Sequence, residues 1–258
     1  MSSSKGQLAP VRVSMVGVEG LRFCLHTWDP PRRRRTTPTL VLPGVAGGGI
    51  DFAALADMLR ADRTVFAADL PGCGDSEQRG PYDPVHVAER VAALVLHLAD
   101  DFAGDARVDV VGHGMGGNVA IALASARPDL VRRLVVVNAP YRTRHAPWPR
   151  SLPNLRARGA RDLPSVPHVA DVGVRAGWLR GHLATRLALG EVHVERVLQV
   201  WGTDDRWLTP RTAGLVFRDL AAGTPDARQV TVPGGGHRPH LTDPYVVASA
   251  VTEFLRSA

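Results

Sequence analysis

Cysteine and lysine are nearly missing from this sequence, and none of its apolar stretches is long. The two cysteines, Cys24 and Cys73, are too few for a disulfide framework, and their spacing suggests no metal site. Apolar runs such as Val91–Leu96 fall far short of the roughly 20 residues that span a bilayer. The N-terminal stretch Met1–Gly6 lacks the apolar region of a secretory signal. These absences lead to the expectation of a soluble, cytosolic protein with no membrane contact. Lys5 is the sole lysine, so the net charge of +6 is carried by arginine. A basic balance raises the question of a nucleic-acid partner, but Arg32–Arg35 sit in a Pro-flanked connection and read as a solvated turn. No nucleic-acid partner is expected, and no internal repeat is visible.

What is present is a chain of 258 residues, 45% hydrophobic and 22% charged, enough for one α/β domain or one domain with a lid. β-Branched and apolar segments closed by Gly, Pro or Asp predict strands over 11–17, 21–28, 39–43, 64–69, 107–112, 132–138, 196–201 and 228–232. Helical periodicity falls between many of them, over Phe52–Arg60, Pro84–Asp101, Asn118–Arg127, Thr212–Ala222 and Pro244–Arg256. Two strands followed by repeated βα units predict a mostly parallel eight-stranded sheet covered on both faces, with an antiparallel N-terminal edge. Functional residues then belong at the carboxyl ends of the strands. The core is expected from 1–140 and 196–258, and 141–195 forms a short lid insertion in which Val174–Leu189 is helical.

Four segments at those strand ends carry chemistry. Val108–Val111 followed by Gly112-His113-Gly114-Met115-Gly116-Gly117 has the frame of a nucleophile elbow, G-x-S-x-G, with Gly114 where the serine would stand. Pro43-Gly44-Val45-Ala46-Gly47-Gly48-Gly49 follows an earlier strand, and its glycines let the backbone approach a carbonyl. Trp201-Gly202-Thr203-Asp204-Asp205 with Pro210, and Gly236-His237-Arg238-Pro239 with Pro244, follow the last two strands. In these motifs, their order and the turn Asp69–Ser76, the chain resembles the α/β-hydrolase family over nearly its whole length. The resemblance implies an acid at Asp205, a base at His237 and oxyanion donors on the N–H groups of Val45 and Met115. The Asp69–Ser76 turn is structural in the family. His237 and His240 read as a metal pair only with difficulty, since no sulfur partner stands nearby. Neither a metal nor a cofactor is expected.

Three explanations of Gly114 stand open. A native serine was replaced so that substrate is held without turnover; or the nucleophile was lost naturally while His237 and Asp205 serve proton transfer in a lyase, cyclase or epimerase; or the protein only binds a ligand. A variant of the second lets His237 activate water directly. The parent chemistry expected is hydrolysis or acyl transfer at an ester, thioester or lactone. Gly44, His113, Trp148, Trp178 and Trp207 are candidates for contact with a small-molecule, acyl or peptidyl substrate. Six arginines between Arg142 and Arg161 suggest an anionic one. The oligomeric state is left open.

Overall fold

The computed structural model describes residues 10–32, 36–45, 47–99, 107–139, 172–184 and 192–257. Eight strands form one sheet: β1 (Arg12–Val18), β2 (Leu21–Trp28), β3 (Thr39–Leu42), β4 (Val65–Ala68), β5 (Val108–His113), β6 (Val131–Val137), β7 (Arg196–Gly202) and β8 (Asp226–Val232). They lie in the order β1-β2-β4-β3-β5-β6-β7-β8. The β1/β2 and β2/β4 pairs are antiparallel and all others parallel, so the expected architecture holds, including its antiparallel edge. Burial follows position in the sheet. Every residue of β3, β4, β5 and β7 is buried, whereas at the edges no residue of β1 and only Val232 of β8 is.

Helices cover both faces. On one side α2 (Pro84–Leu98), α3 (Met115–Ala126) and α5 (Pro210–Ala221) contribute Val91, Leu94, Ile121, Leu123 and Val216 to a core with Leu40, Val110 and Leu134. On the other, α1 (Ala53–Leu59) and, after the one-turn α6 (Pro239–Thr242), the C-terminal α7 (Pro244–Arg256) pack Leu55, Leu59, Val251 and Phe254 against Val41, Val111 and Leu198. Local signals set the starts. The side chain of Asp83 accepts from the Val85 and His86 amides with Pro84 first in α2, and Thr209 caps α5 with Pro210 first. α3 begins three residues before its apolar periodicity does, because Gly116 and Gly117 are poor helix formers that tertiary packing holds in place. Within the insertion, α4 (Val172–Ala184) is helical, and 185–189, also expected in that helix, lie outside the described residues.

The end of the sheet remote from Gly114 is closed by arginines. Arg63 and Arg133 donate to the carbonyl of Leu255 at 3.3 and 2.6 Å, and Arg196 donates to that of Ser257 at 2.7 Å. Three cations thereby meet the negative end of α7. Arg63 also pairs with the buried Asp109 at 3.0 Å. Burial pushes the Asp109 carboxyl up to about 6 from 3.8, against the pull of Arg63 and Arg133. The folded protein therefore holds this proton more tightly than the unfolded chain. The stability it contributes is full below the unfolded value and is lost as pH rises through the folded one. An Asp109→Asn variant should lack that loss, so its stability relative to the native protein should rise between the two values. Denaturant titrations across this range check it, and a pH-independent difference would contradict it.

Candidate active site

The elbow is built by close approach. β5 delivers its last residue, His113, and the chain turns at Gly114 with φ 54° and ψ −121°, where a side chain costs on the order of 1–3 kcal/mol. A Cβ at Gly116 would lie 2.2 Å from the Leu42 carbonyl oxygen and 2.3 Å from that of Pro43. Only glycine lets α3 press against the end of β3 there. That contact brings the Pro43–Gly49 loop beside the elbow, and Gly44 Cα comes within 3.9 Å of where a Cβ on Gly114 would sit. Val45 follows Gly44 in this loop, and Met115 follows Gly114 as the first residue of α3.

The loop is held from beneath by Asp69, whose two oxygens accept from the Gly49 amide at 2.7 Å and the Asp75 amide at 3.0 Å. Ser76 donates to the Asp69 carbonyl at 2.7 Å and accepts from the Cys24 amide at 2.8 Å. Cys24, His26 and Asp69 form the one group among the described residues whose ligand atoms could surround a metal, a juxtaposition that cysteine spacing alone does not reveal. Their donor set is a poor fit to one. Burial, with Asp69 beside it, pushes the Cys24 thiol up to about 12, and the buried Nδ1 of His26 has no hydrogen-bond partner. A ligating histidine ordinarily donates its second ring nitrogen. The cluster is better described as the packing of the turn.

Opposite Gly114 stands His237, which its own loop carries from the end of β8. Its Nδ1 donates to Asp205 Oδ2 at 2.9 Å, and the Asp205 side chain is fully buried while that of His237 is 29% exposed. The other oxygen of Asp205 accepts from the amides of Trp207 at 2.7 Å and Leu208 at 3.2 Å, so the carboxylate is fixed in place. Asp204 points away, taking the Thr203 hydroxyl at 3.2 Å. The remaining nitrogen of His237, Nε2, lies 3.5 Å from the position of a Cβ on Gly114. The structure therefore brings Gly114, Asp205 and His237 together.

Two further residues hold His237, and sequence reasoning missed one of them. Asn138 follows β6 with φ 44°, uncommon for a residue with a side chain, and is completely buried. Its amide nitrogen donates to the carbonyls of Gly236 at 2.8 Å and His237 at 3.1 Å, and its oxygen accepts from the Gly202 amide at 2.9 Å. One side chain thus ties the loop of the acid to the loop of the base. Its only sequence signal was a polar residue at the carboxyl end of a central strand, where 132–138 had been read as strand throughout. His113 donates from Nε2 to the His237 carbonyl at 2.8 Å. Burial, then His240 and His237, hold the His113 imidazole well below its ordinary range, so it stays neutral. His240, stacked on Phe52 at 4.4 Å, is pushed down to about 3 by burial and Arg238.

His113, a candidate for substrate contact, is thus turned onto the backbone of His237. It also lines a small cleft, open to solvent, with Gly44, Val45, Phe52, Arg238 and His240. Trp207 lies 6.1 Å from the His237 ring and is partly exposed. Trp178, the other candidate for substrate contact, is fully buried, donates its indole N–H to the Pro71 carbonyl at 3.0 Å and packs near Tyr82, so among the described residues it serves to dock α4. Trp148 and the arginines from 142 to 161 lie outside the described residues.

A parallel sheet with a sharp turn after its central strand, and an acid and a histidine on the loops after β7 and β8, define the scaffold of serine-type hydrolases. The alpha/beta hydrolase family profile matches residues 39–250, and the chain belongs to that family. It is 28% identical to the sn-1-specific diacylglycerol lipase ABHD11 of Mus musculus, over 85% of this chain and 81% of that one. Identity to the pimeloyl-[acyl-carrier protein] methyl ester esterase of Neisseria meningitidis is 31%, over 69% of this chain and 58% of the other. Among solved structures, the enol-lactonase from Burkholderia xenovorans LB400 superposes with a TM-score of 0.76 at 20% identity, covering 95% of this chain and 100% of that chain. Among the described residues no helix is long and apolar enough to cross a membrane.

If Asn138 positions the base, Asn138→Ala should release the His237 loop. The proton shared by His237 and Asp205 should then exchange faster and its downfield NMR resonance broaden or vanish, with stability lower by roughly 1–3 kcal/mol. An unchanged resonance in the folded variant would contradict this role.

Proposed function

We propose that the protein acts at the carbonyl carbon of an ester, thioester or lactone, as a hydrolase or acyl-transfer enzyme whose nucleophile position is occupied by Gly114. His237 is the general base, Asp205 orients it and stabilises its protonated form, and the N–H groups of Val45 and Met115 hold the oxyanion. The observation that supports this most directly is the His237–Asp205 hydrogen bond of 2.9 Å, with the free nitrogen of the same ring facing the elbow. A pair kept in this order opposite a bare backbone position is poorly explained by ligand binding alone. Family membership and relatives named as lipase and esterase agree with carbonyl chemistry. We place the reaction in the cytosol, on a small-molecule or acyl substrate.

A second reading has one observation in its favour. With no side chain at Gly114, the same pair faces a position from which no covalent intermediate can form. His237 would then move a proton next to a carbonyl, with the oxyanion loop stabilising an enolate. Deuterium uptake from solvent into the true substrate, abolished in His237→Ala, would separate this chemistry from acyl transfer.

The elbow conformation predicts that Gly114→Ser completes a triad. Esterase activity on 4-nitrophenyl esters should rise by two orders of magnitude or more, since the nucleophile acts as a unit with its base. The melting temperature should fall, because serine there must adopt the positive φ that glycine accepts. A folded but inert Gly114→Ser protein would contradict the reading.

A further inference from the structure

We infer that the space over Gly114 is an acceptor site: a small nucleophile of the type H–O–R or H–N–R, water included, sits there and attacks the acyl group directly. The inference rests on the carbonyl reading above and extends it to the order of bond making and the class of acyl acceptor.

The geometry is specific. The nearest neighbours of a Cβ placed on Gly114 are His237 Nε2 at 3.5 Å, His237 Cε1 at 3.9 Å and Gly44 Cα at 3.9 Å. All are ordinary contact distances, so the described neighbours leave the face of Gly114 open, and His237 Nε2 is the nearest of them to a free atom that stands off Gly114 at van der Waals distance. The backbone there carries no group that could attack. An acceptor atom lodged against Nε2 lies within reach of a base whose other nitrogen is fixed on the buried Asp205. Gly44 and His237 flank the acceptor on two sides, which favours one with one or two heavy atoms over a branched one. The other glycines around the elbow are compelled by backbone contacts, as at Gly116 and at Gly112, where a Cβ would lie 2.6 Å from the Gly116 carbonyl oxygen. At Gly114, among the described residues, no backbone atom comes closer than the 3.9 Å of Gly44 Cα.

The step balances without a covalent enzyme. The acceptor's lone pair forms a bond to the carbonyl carbon as its proton passes to His237 Nε2, and the carbonyl π electrons move onto oxygen, facing the Val45 and Met115 amides. Collapse re-forms the carbonyl and breaks the bond to the leaving oxygen or sulfur, which departs with the electron pair and takes the proton back from His237. The products are the acylated acceptor and the free alcohol or thiol. Water gives hydrolysis; a small alcohol or hydroxylamine gives transfer.

The test uses 4-nitrophenyl acetate as donor and hydroxylamine as acceptor, following nitrophenolate and acetohydroxamate together. In the native protein, nitrophenolate release above the His237→Ala background should rise in proportion to hydroxylamine, one hydroxamate per additional release and no burst. O-tert-Butylhydroxylamine should give no such rise. Gly114→Ala, which puts a methyl group in the acceptor position, should reduce the hydroxylamine-dependent rate at least tenfold. Gly114→Ser should instead show a burst, with hydroxylamine diverting the acyl-enzyme. Release that is indifferent to hydroxylamine in the native protein, while Gly114→Ser turns over, would overturn the acceptor site and leave the carbonyl reading standing. Silence from both folded proteins would overturn the two together.

Discussion

The site depends on one hydrogen bond, from His237 Nδ1 to the buried carboxylate of Asp205. It fixes the tautomer that leaves Nε2 able to accept a proton and turns that nitrogen toward Gly114. Such a bond needs both loops held still, and the protein secures each from more than one direction. The Trp207 and Leu208 amides occupy the second carboxylate oxygen. Asn138 clamps the backbone on either side, and His113 holds the His237 carbonyl from beneath. His113 stays neutral, so it brings no positive charge of its own beside His237. The groups that hold His237 sit on three different strand ends, those of β5, β6 and β7.

The Pro43–Gly49 loop reaches the same place by a steric route. Gly112 lets α3 press on β5 and Gly116 lets it press on the end of β3, backbone against backbone, and Asp69 supports the loop through the Gly49 amide. This loop and His237 thus come from separate halves of the sheet and meet over Gly114. A constraint of packing and a constraint of hydrogen bonding converge on one residue that has no side chain.

Much of this was legible in the sequence because it rests on local chemistry. Strand composition located all eight strands to within a few residues, and the order of the motifs named Gly114, Asp205 and His237, which the fold brings together. The rest depended on contacts across long separations. Asn138 looks like the last residue of an apolar strand until its side chain is seen between Gly202 and Gly236. Trp178 reads equally well as pocket or core in the sequence, which carries no sign of its hydrogen bond to Pro71. The Cys24, His26 and Asp69 cluster needs β2 and the loop after β4 to lie side by side, which no spacing along the chain reveals. The start of α3 was misplaced because glycines demanded by packing hide the helix from propensity.

The central claim is that His237, backed by Asp205, faces an acceptor position over Gly114, with the Val45 and Met115 amides as the oxyanion donors. A crystal structure of the native protein with a trifluoromethyl ketone tests it most directly, since such ketones bind as their hydrates when no enzyme nucleophile adds. The account predicts a hydrate with one hydroxyl over Gly114, hydrogen-bonded to His237 Nε2, and the other on the two amides. A hydrate bound away from Gly114, or one in place while His237 has turned off Asp205, would contradict it.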